Sequence, residues 1–285
     1  MQKVSKIILA VGVISALTAS VFADSFINGG FEAGNLTGWT LKSGDWNASL
    51  VQTTNNAYQG DSAVITDNTL KDANTGGNLY EVLQGNDALR LNNPANGAHF
   101  STLSQTVSNY TSSDMYFGFA AVLEDPTNGG HTEQQTPQFR FSIQDVSKGI
   151  TLYDIQFDSV NGGSQGIAWH TGETVTGSNS GIWKYTDWNV IHIDTSLLSG
   201  LNGDEFTINV AAYDCALGGH GGYAYVDSFQ PDLPVPNHGT VTVFDANVVA
   251  NPPASVPEPT SIVLWSLGGL ALLWGGKRRL FNPQS

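Results

Sequence analysis

Apolar and polar positions alternate in short runs along most of this chain. No long stretch between Asp24 and Val249 carries the 3.6-residue period of an amphipathic helix. Phe139, Phe141 and Ile143 alternate with Arg140, Ser142 and Gln144, the pattern of a strand with one dry face and one wet face. Ile208, Val210 and Ala212 repeat it. Segments of this kind predict strands over Ser62–Thr66, Ala88–Leu91, Ser101–Val107, Met115–Leu123, Gln138–Asp145, Ile150–Phe157, Asn189–Asp194, Phe206–Tyr213 and Tyr223–Phe229. Gly, Asn, Asp and Ser separate them, with Asn128-Gly129, Asn161-Gly162 and Asn202-Gly203 as turn signals. No fixed period suggests a solenoid or propeller. The expectation is an all-β fold, best accommodated by a two-sheet jelly-roll β-sandwich.

The pattern changes at both ends. Lys3 and Lys6 precede the apolar run Ile7–Leu17, and Val21-Phe22-Ala23 places small or apolar residues where a signal peptidase would cut. Met1–Ala23 therefore reads as a cleavable signal peptide; the run is short for the alternative, an uncleaved anchor helix. Six of the eleven prolines lie between Pro231 and Pro257. Proline cannot donate to a sheet ladder, so residues 231–256 read as a linker, with Gly239–Phe244 available as one edge strand. Beyond it come Val256-Pro257-Glu258-Pro259, the apolar run Ile262–Trp274, and Lys277, Arg278 and Arg279. Thr260–Gly276 is 17 residues, the lower limit for a single transmembrane helix, and the cations would stay cytoplasmic.

Pro257, Glu258, Pro259, one apolar helix and then Lys277, Arg278 and Arg279 resemble the PEP-CTERM sorting signal. The resemblance covers residues 257–281. It implies that an exosortase is a partner, that the chain is held transiently in the inner membrane by this helix, and that it ends at the cell surface or in an extracellular polysaccharide matrix.

Charge narrows the body further. Five of the 11 basic residues and one of the 25 acidic residues lie in the terminal segments, leaving 6 against 24 and a net charge of −18. Such a surface repels phosphate backbones, which excludes nucleic acid as a partner, and it favours divalent cations. Cys215 is the only cysteine, so no intramolecular disulfide staples the fold. The body, residues 24–230, is of a size that supports one sandwich core.

Phe26-Ile27-Asn28-Gly29-Gly30-Phe31-Glu32 runs on to Gly38-Trp39. This resembles the opening strand of jelly-roll domains of the galactose-binding and carbohydrate-binding-module type. There the Phe and Trp pack in the core, and the Glu joins an Asp of the last strand on a structural calcium. The matching residues here are Glu32 and Asp227, and oxygen-only ligands suit Ca²⁺. The alternative is a turn residue and a strand cap.

Asp214-Cys215-Ala216-Leu217-Gly218-Gly219-His220-Gly221-Gly222-Tyr223-Ala224-Tyr225-Val226-Asp227 resembles a sequence near the end of jelly-roll modules in bacterial surface proteins, as does Tyr185-Thr186-Asp187-Trp188-Asn189-Val190. A thiol dyad of Cys215 and His220 with Asp214 as orienting carboxylate is chemically conceivable. A small buried thiol and a histidine bonded to its own glycine-rich loop is the preferred reading. The six histidines (His99, His131, His170, His192, His220, His238) show no metal-ligand spacing. No nucleophile elbow, zinc-protease motif or phosphate loop occurs, and no carboxylate pair stands out for glycoside hydrolysis.

Trp46, Tyr58, Trp169, Trp183, Tyr185 and Trp188 exceed what a core needs. Exposed Trp and Tyr stack on sugar rings. Trp188 matches a core position of the resemblance, so Trp169, Trp183 and Tyr185 are the ligand-binding candidates. The expected function is non-enzymatic: an exported envelope or matrix protein, structural or adhesive among polysaccharide. A carbohydrate-binding module with a defined sugar site is the alternative, followed by a secreted glycan-active enzyme.

Overall fold

The computed structural model describes residues 26–246, apart from 109, 128–129, 147, 161–166 and 196–204. The segments expected to be a signal peptide (1–23) and a sorting and transmembrane segment (257–281), and the three Asn-Gly turns, lie outside the described residues. No described helix is long and apolar enough to cross a membrane.

The described chain forms β1 (Thr40–Trp46), β2 (Gln52–Thr54), β3 (Ala63–Ile65), β4 (Ala88–Leu91), β5 (His99–Ser108), β6 (Asp114–Pro126), β7 (Gln138–Asp145), β8 (Ile150–Asp158), β9 (Trp169–Val175), β10 (Gly181–Thr186), β11 (Asn189–Asp194), β12 (Glu205–Tyr213), β13 (Gly222–Gln230) and β14 (Thr242–Asp245). They build an all-β sandwich of the jelly-roll kind. One sheet has six strands in the order β2-β1-β5-β12-β7-β8. The other has eight: β14-β11-β6-β13-β4-β3, with β9 and β10 continuing from β6. Ladders are antiparallel except β11 with β14, which is parallel. β10 and β11 lie in succession along one edge of the long β6, pairing Val122–Pro126 and Asp114–Phe119 respectively.

Alternation fills the space between the sheets with rings. Phe139, Phe141 and Ile143 of β7 and Phe206, Ile208, Val210 and Ala212 of β12 meet Phe117, Phe119 and Phe229 from the opposite sheet. Phe117 stacks on Phe141 with centroids 4.5 Å apart, and Phe119 on Phe139 at 4.9 Å. Close-packed aromatic area of this kind is the main stabilising term in a fold without disulfides.

The second sheet is covered on both faces. Outward positions Ala120 and Val122 of β6 and Tyr223 and Tyr225 of β13 pack with Leu79, Leu83, Trp183, Tyr185, Trp188 and Val190 into a second core. Asp72 anchors this layer: its Oδ2 accepts from Tyr223 Oη at 2.6 Å and from Tyr225 Oη at 2.8 Å. The unbroken apolar runs of β6 and β13 are the signature of strands buried on both sides.

The opening segment plugs one end of the sandwich. Phe31 is fully buried with φ 59°, and Trp39 stacks on it at 5.6 Å while its indole N–H donates to the Asn28 carbonyl. A Cβ on Gly29 would sit 2.1 Å from the Phe229 carbonyl oxygen, so only glycine fits where the segment meets β13.

The proline-rich stretch begins as a docked strap. Asn237 N–H donates to the Leu83 carbonyl at 2.7 Å, and the His238 ring stacks on Tyr80 at 3.8 Å. The edge strand expected over Gly239–Phe244 appears as β14, so chain assigned to the linker belongs to the sandwich up to Asp245.

Candidate functional site

The outer face of the six-stranded sheet carries a shallow groove. Cross-strand register assembles it: Trp46 lies opposite Gln52, Tyr213 opposite Gln138, and Arg140 opposite Gln156. With Leu50 and Gln134 these residues line a cavity of about 150 Å³. Trp46 and Tyr213 form its aromatic base with centroids 5.1 Å apart, backed by Phe100 at 5.8 Å from Tyr213. Burial pushes the Tyr213 hydroxyl up from its usual pKa, so it stays a neutral donor and acceptor.

The polar wall is mostly amide. Gln156 Nε2 donates to Gln138 Oε1 at 3.0 Å, Gln138 Nε2 to the Gln134 carbonyl at 2.7 Å, and Gln52 Nε2 to Tyr213 Oη at 3.3 Å. Arg140 forms a bidentate pair with Asp154. The Trp46 indole N–H is buried and lacks a protein partner. Trp46 and Tyr213 are only 5% and 6% exposed, so they floor the groove, and the groups open to a ligand are the amides and the guanidinium, which suit a molecule rich in hydroxyls.

The sequence candidates fall elsewhere. Trp183 and Tyr185 are corrected: at 4% and 6% exposure they belong to the second core, Trp183 packing edge-on to Tyr223 at 5.6 Å. The error has a physical cause, since β10 sits on a sheet whose outer face is covered. Trp169 is half-buried against the main core. Trp188 is buried, and its indole N–H donates to the Tyr80 carbonyl at 2.8 Å.

Glu32 and Asp227 both approach Gly30. A Cβ on Gly30 would lie 3.6 Å from both Asp227 Oδ1 and Glu32 Cγ. Glu32, exposed, accepts from the N–H groups of Asn86 and Asp87. Asp227, buried, accepts from the N–H groups of Leu83, Gln84 and Ser228. Burial holds the Asp227 carboxyl well above the usual carboxylate range, and the charge of Glu32 pushes the same way.

The conceivable dyad is not assembled as a triad. Asp214 turns to Asn92 Nδ2 at 2.9 Å and Gly222 N–H at 3.1 Å, so it does not orient His220. Cys215 is fully buried.

No family model matches the chain, and no curated protein matches it. Solved structures do resemble it. One is a carbohydrate-binding module, TmCBM61, in complex with β-1,4-galactotriose: 13% identical, covering 72% of this chain and 96% of that one, with a TM-score of 0.37. Another is the family 11 carbohydrate-binding module of Clostridium thermocellum with a mixed-linked tetrasaccharide, at 10% identity, 69% and 89% coverage and a TM-score of 0.30. The enzymatically active domain of tailspike protein 4 from bacteriophage CBA120 also resembles it, at 13% identity, 72% and 21% coverage and a TM-score of 0.35. Similarity at this level assigns neither a family nor a ligand, so the function is argued from the chain's own residues.

Proposed function

We propose that the chain is an exported, non-enzymatic envelope or matrix protein that holds extracellular polysaccharide in the groove on its six-stranded sheet. The observation that carries this reading is the groove itself: Trp46 and Tyr213 at its base, Gln52, Gln138, Gln156 and Arg140 around them. Its volume is below the roughly 300–1,000 Å³ of a pocket that engulfs a drug-sized ligand. It suits one sugar unit of a longer strand laid across the sheet. Migration of the chain through native gels cast with matrix polysaccharide, galactan or mixed-linked glucan tests it. Retardation that disappears in Arg140→Ala/Gln156→Ala, with the melting temperature kept, is expected. Equal retardation of that variant, or none of the wild type, overturns it.

Export and sorting complete the reading. The charged start, the apolar run and the Pro257-Glu258-Pro259 tail support secretion, passage through the inner membrane and exosortase handling. Removing residues 257–281 should change the fractionation and mature mass of the chain. An unchanged destination and mass would remove this part.

Calcium belongs to the same proposal. Glu32 and Asp227 flank Gly30, and a cation between them would relieve the unfavourable burial of Asp227. Their existing N–H partners would have to share the oxygens with the ion. A rise in melting temperature with Ca²⁺, absent in Asp227→Ala, is the expected signature.

A further inference from the structure

Two loops that are far apart in sequence meet beside β13. One joins β6 to β7 and carries His131; the other joins β12 to β13 and carries Cys215 and His220. One ligand atom from each of His131, Cys215 and His220 lies within 4.8 Å of the other two. His131 Nε2 is 3.4 Å from Cys215 Sγ. Cys215 is fully buried and His220 is 1% exposed. We propose that these three side chains form a binding site for a borderline-soft divalent transition ion of the zinc class.

The ring nitrogens support this reading independently of the cluster. His220 Nε2 contacts the Ser180 carbonyl at 3.4 Å, while its Nδ1 is buried with no hydrogen-bond partner. A neutral imidazole that donates one N–H to a backbone carbonyl presents its other nitrogen as a lone pair, the usual arrangement of a metal-bound histidine. An unpaired buried acceptor is unfavourable unless something occupies it. His131 Nδ1 is likewise buried without a partner.

The loops are built to hold their ligands still. Cys215 N–H donates to the His220 carbonyl at 2.9 Å and Gly218 N–H to the Cys215 carbonyl at 2.9 Å, closing a tight turn. Gly219 N–H points at Cys215 Sγ at 3.3 Å and holds the sulfur in place. Ala216 N–H donates to the Gln135 carbonyl, tying this turn to the other loop, and Thr132 and Gln135 cap the 3₁₀ turn Glu133–Gln135 just after His131. One thiolate and two imidazoles favour zinc over calcium or magnesium. Three protein ligands leave a fourth position of a tetrahedral ion for water or an exogenous group. Gln134 of the groove stands on the same 3₁₀ turn, so the ion would brace one groove wall. The site stands whether or not that groove binds sugar.

Cobalt(II) titration of the full chain, purified under reducing conditions and stripped with chelator, tests the proposal. A one-to-one rise of a thiolate-to-cobalt charge-transfer band, with the visible bands of a tetrahedral ion, is expected, and zinc should displace it. Cys215→Ser should abolish the charge-transfer band. His131→Ala, at a half-buried loop position, should weaken cobalt binding at least tenfold while leaving circular dichroism unchanged. Absence of the band at millimolar cobalt, or its persistence in Cys215→Ser, overturns the site. So does unchanged cobalt affinity in a folded His131→Ala protein.

Discussion

Replacing Asp72 by Ala tests whether the second core is held by one buried carboxylate. Asp72 is 3% exposed, and Tyr223 and Tyr225 are each 1% exposed. The substitution removes the acceptor of both hydroxyls and of the Thr75 N–H, which meets Oδ1 at 3.0 Å. A buried donor left unpaired costs about 1–3 kcal/mol. The Tyr223 oxygen still accepts from Asn74 Nδ2 at 2.9 Å, but its own O–H loses its acceptor with the other two donors. Asp72→Ala should therefore destabilise the protein by at least about 3 kcal/mol. Tyr225→Phe removes the bond to Asp72 and the contact with the Glu81 carboxylate and leaves Asp72 two partners, for about 1.5–3 kcal/mol.

The double variant carries the sharper test. Once Asp72 is gone, the Tyr225 hydroxyl keeps only the Glu81 carboxylate beside it, and deleting it costs less than in the wild type. Asp72→Ala/Tyr225→Phe should fall short of the sum of the single effects by about 1–3 kcal/mol. Urea unfolding followed by tryptophan fluorescence measures this, since Trp183 and Trp188 sit in the same layer. An Asp72→Ala effect under about 1 kcal/mol, or strict additivity in the double variant, would refute the reasoning.

Three further outcomes follow from buried groups and close contacts. Burial pushes the Glu124 carboxyl up to about 7, with Gly221 N–H working the other way, so the folded state holds a proton that the unfolded chain loses near pH 4.5. The contribution of this residue to stability is therefore greatest in acid and is lost as pH rises to 7. In chelator-treated protein, Glu124→Gln should recover up to about 3 kcal/mol relative to wild type at pH 8 and little at pH 4. Partial burial works to lower the pKa of His192, but hydrogen bonds to Asp245 and Asp114, each at 2.8 Å, raise it above its ordinary value. Its clamp on β14 is complete below the unfolded histidine value and is lost as pH rises through the folded one. Amide exchange in Thr242–Asp245, corrected for the intrinsic rate, should speed up between pH 6 and 9 in wild type and show no such step in His192→Asn. Gly29→Ala places a methyl group 2.1 Å from the Phe229 carbonyl and should destabilise by more than about 2 kcal/mol in thermal melts.

Much of the sandwich was legible because alternation is a local signal. β4, β7 and β11 begin and end where the pattern does, and the inward residues of β7 and β12 are the ones that meet the opposite sheet. β1, β2, β9 and β10 escaped notice. β2 is three exposed residues, and β9 is mostly polar, so neither displays a dry face. β10 shows the deeper difficulty. Ile182, Trp183, Lys184 and Tyr185 alternate, but the face carrying Trp183 and Tyr185 looks to the covering layer, not to solvent. Whether a second layer exists depends on where residues 71–83 fold, which no short window contains.

The same limit decides how much of a site can be read from the chain. Gln138 and Arg140 belong to the wet face that alternation already marks. Their alignment with Gln156, Tyr213, Gln52 and Trp46 depends on the register of the five other strands of the sheet, β5 included, and a one-residue slip in any of them would disperse the groove. Cys215 and His220 share one glycine-rich turn and attract attention together. His131, 84 positions from Cys215, is brought in only because β12 runs beside β7 and both loops leave the sandwich at the same end. Spacing within a segment finds sites that one loop can build. A site shared between loops becomes visible through what the fold leaves unpaired, and here that is the ring nitrogens of two histidines beside a buried thiol.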